Sequence, residues 1–223
     1  MGLLVAIEGI DGTGKGTQAR RLVDVLAATG LRTRLIGFPR YSDTSFGRRI
    51  GEYLNGKYGS LDAVHPLLAA LLYAGDRFES RDLLRQSIAD CDVVVLDRYV
   101  ASNIAHQAAK RSGTERDDLR AFIEQLEFGT YELPRADLVI LLDLPATEAQ
   151  RLIAKKAQRD YTDRVADLQE ENASYLEAVR QMYLQLATDN PQWRRIDVLR
   201  DGQLRSIVDV GAEILAVVRA IIP

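Results

Sequence analysis

Gly9-Ile10-Asp11-Gly12-Thr13-Gly14-Lys15-Gly16-Thr17 is the stretch whose reading decides the fold. An apolar run, Leu3-Leu4-Val5-Ala6-Ile7, precedes it, and Ala19, Leu22, Val23 and Leu26 follow at helical spacing. Strand, glycine-rich loop, amphipathic helix is the local order needed to wrap a polyphosphate. Glycines let backbone N–H groups converge on an anion at close range. The helix that opens at the loop adds its unpaired N–H groups and its dipole. Lys15 supplies a positive charge for the β and γ phosphates, and its ammonium is expected to face a solvated loop. The phosphate cradle thus comprises Gly9, Asp11, Gly12, Thr13, Gly14, Lys15, Gly16 and Thr17. Gly16 departs from the usual pattern, which places Ser or Thr after the lysine; here the hydroxyl arrives one residue later, at Thr17. The sequence therefore specifies phosphate binding better than metal binding.

Outward from the loop, five runs read as strands: Leu3–Glu8, Arg34–Phe38, Val93–Asp97, Leu138–Asp143 and Arg195–Leu199. The second, third and fourth are continuously apolar, as expected of strands covered on both faces. Helical patterns separate them, near Phe46–Leu54, Pro66–Ala89, Ser102–Lys110, Asp117–Phe128, Ala146–Arg159, up to about Ala187, and over Leu204–Ile221. The last of these is expected to bury Ile207, Ile214, Leu215 and Val218. Alternating strands and helices predict an α/β fold with a five-stranded parallel sheet flanked by helices. Ligands of such sheets bind beyond the carboxyl ends of the strands. There the sequence places Phe38-Pro39-Arg40-Tyr41, Asp97-Arg98-Tyr99 and Asp143-Leu144-Pro145. Arg40 and Arg98, both at strand ends near the loop, suggest a second anion beside the triphosphate.

The chain has 223 residues, 47% hydrophobic and 27% charged, enough for one substantial core. No repeat or linker divides it, so residues 1–223 read as a single domain. A net charge of −3 gives no overall basic field for nucleic acid. The single cysteine, Cys91, excludes an internal disulfide and favours a reducing compartment. The opening residues lack the basic and apolar regions of a signal peptide, and no 18-residue apolar run is present. A cytoplasmic protein without membrane contact is expected.

Taken together, these residues resemble the thymidylate kinases, P-loop nucleoside monophosphate kinases, and bacterial members more than eukaryotic ones. The resemblance rests on Gly9–Gln18, Phe38–Tyr41, Tyr73–Arg77, Asp97–Asn103 and the basic segment 151–159. It implies a P-loop NTPase fold with a helical lid at about 147–165, transfer of phosphate from ATP to dTMP to give dTDP, Mg²⁺, and a homodimer. It also implies roles. Lys15 would hold the ATP phosphates; Asp11 would orient the acceptor and help place the metal; Asp97 would hold the metal shell or a phosphate-binding arginine. Arg40 and Arg98 would bind the dTMP phosphate, flanked by Tyr41 and Ser102. Phe38 would pack on the nucleotide and Tyr73 would stack on thymine. Arg77 would bond O4 and Asn103 the base edge. His106 would stand near the sugar, where relatives often carry an aromatic, with no acid–base role. Eukaryotic relatives carry an arginine where this chain has Gly12, so Arg151, Lys155, Lys156 and Arg159 would supply the lid charge, with Arg151 and Arg159 counted as catalytic together with Lys15, Asp11 and Arg98.

Other readings are weaker. Adenylate kinases share Gly14–Gln18 but place Gly-Phe-Pro-Arg after a later strand. Deoxynucleoside kinases are expected to carry Glu-Arg-Ser at Asp97-Arg98-Tyr99. A regulatory GTPase should show Asn-Lys-x-Asp, which is absent here. A non-catalytic nucleotide-binding module would be supported by Gly16 alone.

Overall fold

The computed structural model describes residues 2–60, 63–154 and 173–222. Five parallel strands form the central sheet: β1 (Leu3–Glu8), β2 (Thr33–Gly37), β3 (Val93–Asp97), β4 (Leu138–Asp143) and β5 (Trp193–Asp197), in the order β2-β3-β1-β4-β5. The four apolar residues Val93–Leu96 and the whole of β4 are buried, as their sequences demand. β2 is an edge strand in which only Ile36 is buried, so the expectation of two covered faces fails there. Registers pair Ile7 with Asp97 and Gly37 with Asp97, which levels the carboxyl ends of β1, β2 and β3. The loops after these three strands consequently meet at one edge of the sheet, where the chain turns outward in both directions from β1.

The helices are α1 (Lys15–Ala27), α2 (Ser45–Leu54), α3 (Pro66–Glu79), α4 (Arg81–Asp90), α5 (Val100–Ala108), α6 (Gly113–Glu124), α7 (Ala146–Ala154), α8 (Ala173–Asp189) and α9 (Ile207–Arg219). Three departures from the sequence reading have local causes. The expected helix Pro66–Ala89 is broken at Ser80, whose hydroxyl donates back to the Asp76 carbonyl (2.9 Å) and bends the chain. α6 continues into a π-helical turn, Gln125–Thr130, a form that recurs at functional sites. Between β5 and α9 lies a small antiparallel hairpin, β6 (Leu199–Arg200) and β7 (Gln203–Leu204), closed by Asp201-Gly202, both at positive φ (51° and 73°). An Asp-Gly pair is a strong signal for such a turn. The hairpin displaces the start of α9, so Ile207 is exposed, while Val210, Ile214 and Val218 form the buried stripe.

Candidate active site

A cleft of about 240 Å³ opens at the levelled strand ends. It brings together Asp11, Gly12, Gly14, Lys15 and Gly16 from the loop after β1, Phe38 and Tyr41 after β2, Asp97 and Arg98 after β3, Tyr73 and Arg77 from α3, and Ser102, Asn103 and His106 from α5. Pro39, Leu54 and Gln107 complete the wall. Gly9, Thr13, Thr17 and Arg40 stand outside it. Thr13 is buried and donates to the Ile10 carbonyl (3.0 Å), bracing the loop from within, while Thr17 is exposed. Arg151, at the end of α7, is exposed and paired with Glu148 (2.7 Å). Lys155, Lys156 and Arg159, with most of the expected lid, lie outside the described residues.

Two glycines of the loop have distinct packing reasons. Gly12 holds φ at 86°, and a Cβ there would stand 2.4 Å from the Ala149 carbonyl oxygen of α7. No side chain fits, so the charge carried at this place in eukaryotic relatives has no room in this chain. At Gly16 a Cβ would lie 2.8 Å from Asp97 Oδ2. Asp97 therefore takes the place beside the loop that a Ser or Thr side chain would need. Magnesium takes one or two protein carboxylates and leaves the rest of its octahedron to phosphates and water, a demand that Asp97 meets. Among the described residues no cluster of three or more His, Cys, Asp or Glu could hold a metal by protein ligands alone.

Lys15 is buried, contrary to the expected solvated ammonium, and its Nζ donates to the Ile10 carbonyl (2.8 Å). Burial, and then the neighbouring Arg98, push its pKa down to about 8. The cation needed for a polyphosphate is thus lost as pH rises through about 8. Because kcat/KM reports ionisations of the free enzyme, kcat/KM for ATP is expected to fall about tenfold per unit above that value. A profile from pH 6 to 10 at acceptor well below saturation checks this; a flat alkaline limb contradicts it.

Arg98 adopts φ 69°, a left-handed conformation uncommon for a residue with a side chain. Its guanidinium is mostly buried and bound through Nη2 to Asp11. Nη1 faces the Ser102 hydroxyl (3.1 Å), the Gly9 carbonyl and His106 Nε2 (both 3.4 Å). Burial and Arg98 push His106 down to about 3, so the imidazole is neutral at ordinary pH. Behind Arg98, buried Glu8 receives bonds from Ser102 Oγ (2.7 Å), Tyr183 Oη (3.0 Å) and the Tyr99 N–H (2.7 Å).

The opposite wall presents neutral polar groups. Asn103 Nδ2 donates to the Ala70 carbonyl (3.0 Å) and to Glu127 Oε1 (2.9 Å). Both partners are acceptors, so the amide cannot flip, and its buried Oδ1 has no protein partner. Gln107 is oriented the other way. Lys110 donates to its Oε1 (3.1 Å), leaving Nε2 buried without a protein partner. A fixed acceptor and a fixed donor therefore stand in one cleft wall. Gln107 is absent from the sequence-based candidates, although it lies four residues after Asn103 on α5, one turn along the same face. Arg77 is fully buried and held by Glu127 through a two-pronged ion pair, with Nη2 2.6 Å from Oε1. Glu127, from the π-helical turn, is a further residue the sequence did not single out. Arg40 points away from the cleft lining, toward Asp43 (3.0 Å) and Ser80 (3.2 Å). Its backbone N–H is fixed by buried Asp76 (3.0 Å), which also binds Thr44. Tyr73 is half-buried and lines the cleft, and Phe38 is buried against Tyr99.

The family model described as thymidylate kinase matches residues 7–204. The thymidylate kinase of Mycobacterium tuberculosis (strain CDC 1551 / Oshkosh) is 34% identical over 185 residues, covering 83% of this chain and 86% of that protein. A probable thymidylate kinase of Thermococcus onnurineus is 34% identical and covered to 97% in both chains. The human thymidylate kinase is 31% identical, with 88% of this chain and 82% of the human protein covered. Among solved structures, thymidylate kinase from Candida albicans superposes with a TM-score of 0.72 at 26% identity, over 98% of this chain and 92% of that one. The bacterial and archaeal relatives are equally similar, so these matches do not single out the bacterial character expected from the sequence.

Proposed function

Since the chain belongs to the thymidylate kinase family, we propose that it transfers the γ-phosphoryl group of ATP to the phosphate of dTMP, giving dTDP and ADP. The observation that carries the choice of base is the locked Asn103 amide. Its unpaired Oδ1 requires a donor, and the N3–H of thymine is one; the N3 of cytosine is an acceptor and would leave two lone pairs facing each other. Gln107 Nε2 and Arg77 then supply donors for the ring carbonyls, O4 falling to Arg77. Tyr73 offers the stacking face and Phe38 packs on the nucleotide.

Arg98, with Asp11, holds the acceptor phosphate in line with the donor, and Arg40 assists when it leaves Asp43. An oxygen of the acceptor phosphate forms the new bond to Pγ as the bond from Pγ to the β-phosphate oxygen breaks and ADP departs. The attacking oxygen is already anionic, so no general base is needed, in keeping with a neutral His106. Lys15 and the loop N–H groups stabilise charge on the transferring group. Mg²⁺ would be held by Asp97 with the phosphates, and would offset charge between the β and γ groups. Arg151, and Arg159 outside the described residues, would add charge beside the transferring group. We further read residues 1–223 as one catalytic domain of a cytoplasmic homodimer. Exposed Phe46, Leu68, Phe78 and Phe122, on α3 and on α2 and α6 packed beside it, support the dimer. No described helix is long and apolar enough to cross a membrane.

ADP release measured with dTMP, dUMP, dCMP and ribo-TMP tests the assignment. Burying mismatched polar groups costs about 1–3 kcal/mol, so dTMP should exceed dCMP at least about tenfold in kcat/KM. dUMP lacks only a methyl group, and its rejection should not exceed about 10–200-fold. Equal use of dCMP and dTMP would remove thymine from the assignment while leaving a nucleotide kinase.

A further inference from the structure

Two tyrosines of α8, Tyr175 and Tyr183, are buried and reach the back of Arg98. Tyr183 does so through Ser102 Oγ, 2.8 Å from its hydroxyl. Tyr175 does so through His106, and there the protons can be placed one by one. A guanidinium donates and never accepts. His106 Nε2 lies 3.4 Å from Arg98 Nη1, so Nε2 is the unprotonated nitrogen of the ring. The ring proton then sits on Nδ1, 3.0 Å from the Tyr175 hydroxyl oxygen. That oxygen accepts from Nδ1–H, and its own proton goes to the His106 backbone carbonyl, also 3.0 Å away. Tyr175 and His106 thus form a closed pair that leaves one lone pair facing Arg98.

We propose that Tyr175 is a positioning residue, which anchors the Nδ1–H of His106 and through the ring aims the Arg98 fork at the acceptor phosphate. The reverse tautomer would set an N–H against an N–H and push the guanidinium off its bond to Asp11. A long arginine side chain has much rotamer freedom to lose, and a fork held in advance loses less of it when the phosphate arrives. Removing the Tyr175 hydroxyl strands the Nδ1 proton in a buried place. The ring then gains by turning that proton toward another acceptor, which swings Nε2 away from Arg98.

The experiment combines ring ¹⁵N NMR of histidine-labelled protein with steady-state kinetics, on wild type and Tyr175→Phe. The chain has two histidines, and His65→Gln, altering an exposed residue at the start of α3, assigns the signals. Wild type should show His106 as the Nδ1–H tautomer. Tyr175→Phe should keep that tautomer but shift the Nδ1–H signal, with a KM for dTMP raised about tenfold, the size of one lost hydrogen bond, and a KM for ATP within about twofold of wild type. Nε2–H or a charged ring in wild type would overturn the proposal, and that spectrum decides it even if the variant does not fold. An unchanged KM for dTMP in a folded Tyr175→Phe would overturn it too. The kinetic arm rests on reading Arg98 as the acceptor-phosphate ligand, whereas the spectrum does not. A wild type inactive on dTMP but carrying the Nδ1–H tautomer would therefore count against that reading and not against the tyrosine–histidine pair.

Discussion

Lys15→Ala is expected to lower turnover by about 10²-fold or more, the scale of losing one preorganised electrostatic contact to the transition state. The ammonium lies in a buried position among Arg98, Asp11, Asp97 and Glu8, where a charge is worth more than in water. With ATP bound, the phosphates replace the Ile10 carbonyl as its partner, and its pKa should rise again. The effect on folding should be small or favourable. Burial disfavours the charged form of Lys15, so truncation removes a desolvated cation and leaves one buried carbonyl to be satisfied by water. Turnover and urea denaturation, measured on the same preparation, separate the two effects. A folded Lys15→Ala with near wild-type turnover would take the loop out of the chemistry.

What the sequence made legible was what depends on neighbours in the chain. The loop of residues 9–17 and the strand ends at Phe38 and Asp97-Arg98 were readable, because each is a short segment whose residue types state their own purpose, whereas Asn103 entered only through the resemblance to a family. The buried central strands were readable from continuous apolarity. The edge character of β2 was not, because Leu35-Ile36 looks the same at an edge as in a centre. Pairings across long stretches left no local mark. Arg77 meets Glu127 fifty residues later, and nothing near Glu127 distinguishes it from the surface acids of an amphipathic helix. Tyr175 and Tyr183 carried no local mark either, since their rings pack in the core and only their hydroxyls do otherwise. Ile207 misled for the opposite reason. Its apolar side chain continued a helical stripe, but the turn at Asp201-Gly202 starts α9 with that residue facing out. Gln107 and the hairpin had signals in the sequence, helical spacing from Asn103 and an Asp-Gly pair respectively.

Glu127→Gln should destabilise the fold by about 3–5 kcal/mol, the usual cost of removing one partner from a buried ion pair. Both side chains are almost wholly excluded from water, and Arg77 stays charged at any accessible pH, its guanidinium held in the cationic form by Glu127 against the cost of burial. The carboxylate binds two prongs of Arg77 and also accepts from Asn103 Nδ2, so it fixes two groups of the base-facing wall at once. A glutamine presents an N–H₂ in place of one oxygen. The Asn103 amide is then no longer confined between two acceptors, and a flip that turns Nδ2 toward the base becomes available. Cytosine N3 would accept from it. The ratio of kcat/KM for dTMP over dCMP should therefore fall toward one in the same variant that loses stability. The double variant Arg77→Met/Glu127→Leu distinguishes the two consequences. Replacing a buried pair by apolar side chains is often neutral or better for stability, so the double variant should regain most of the loss. It should not regain the selectivity in full, because only the Ala70 carbonyl then holds the Asn103 amide. Urea midpoints and the two specificity constants decide the matter. A Glu127→Gln protein that loses under about 1 kcal/mol, or that keeps full preference for dTMP, would detach this pair from the recognition of the base.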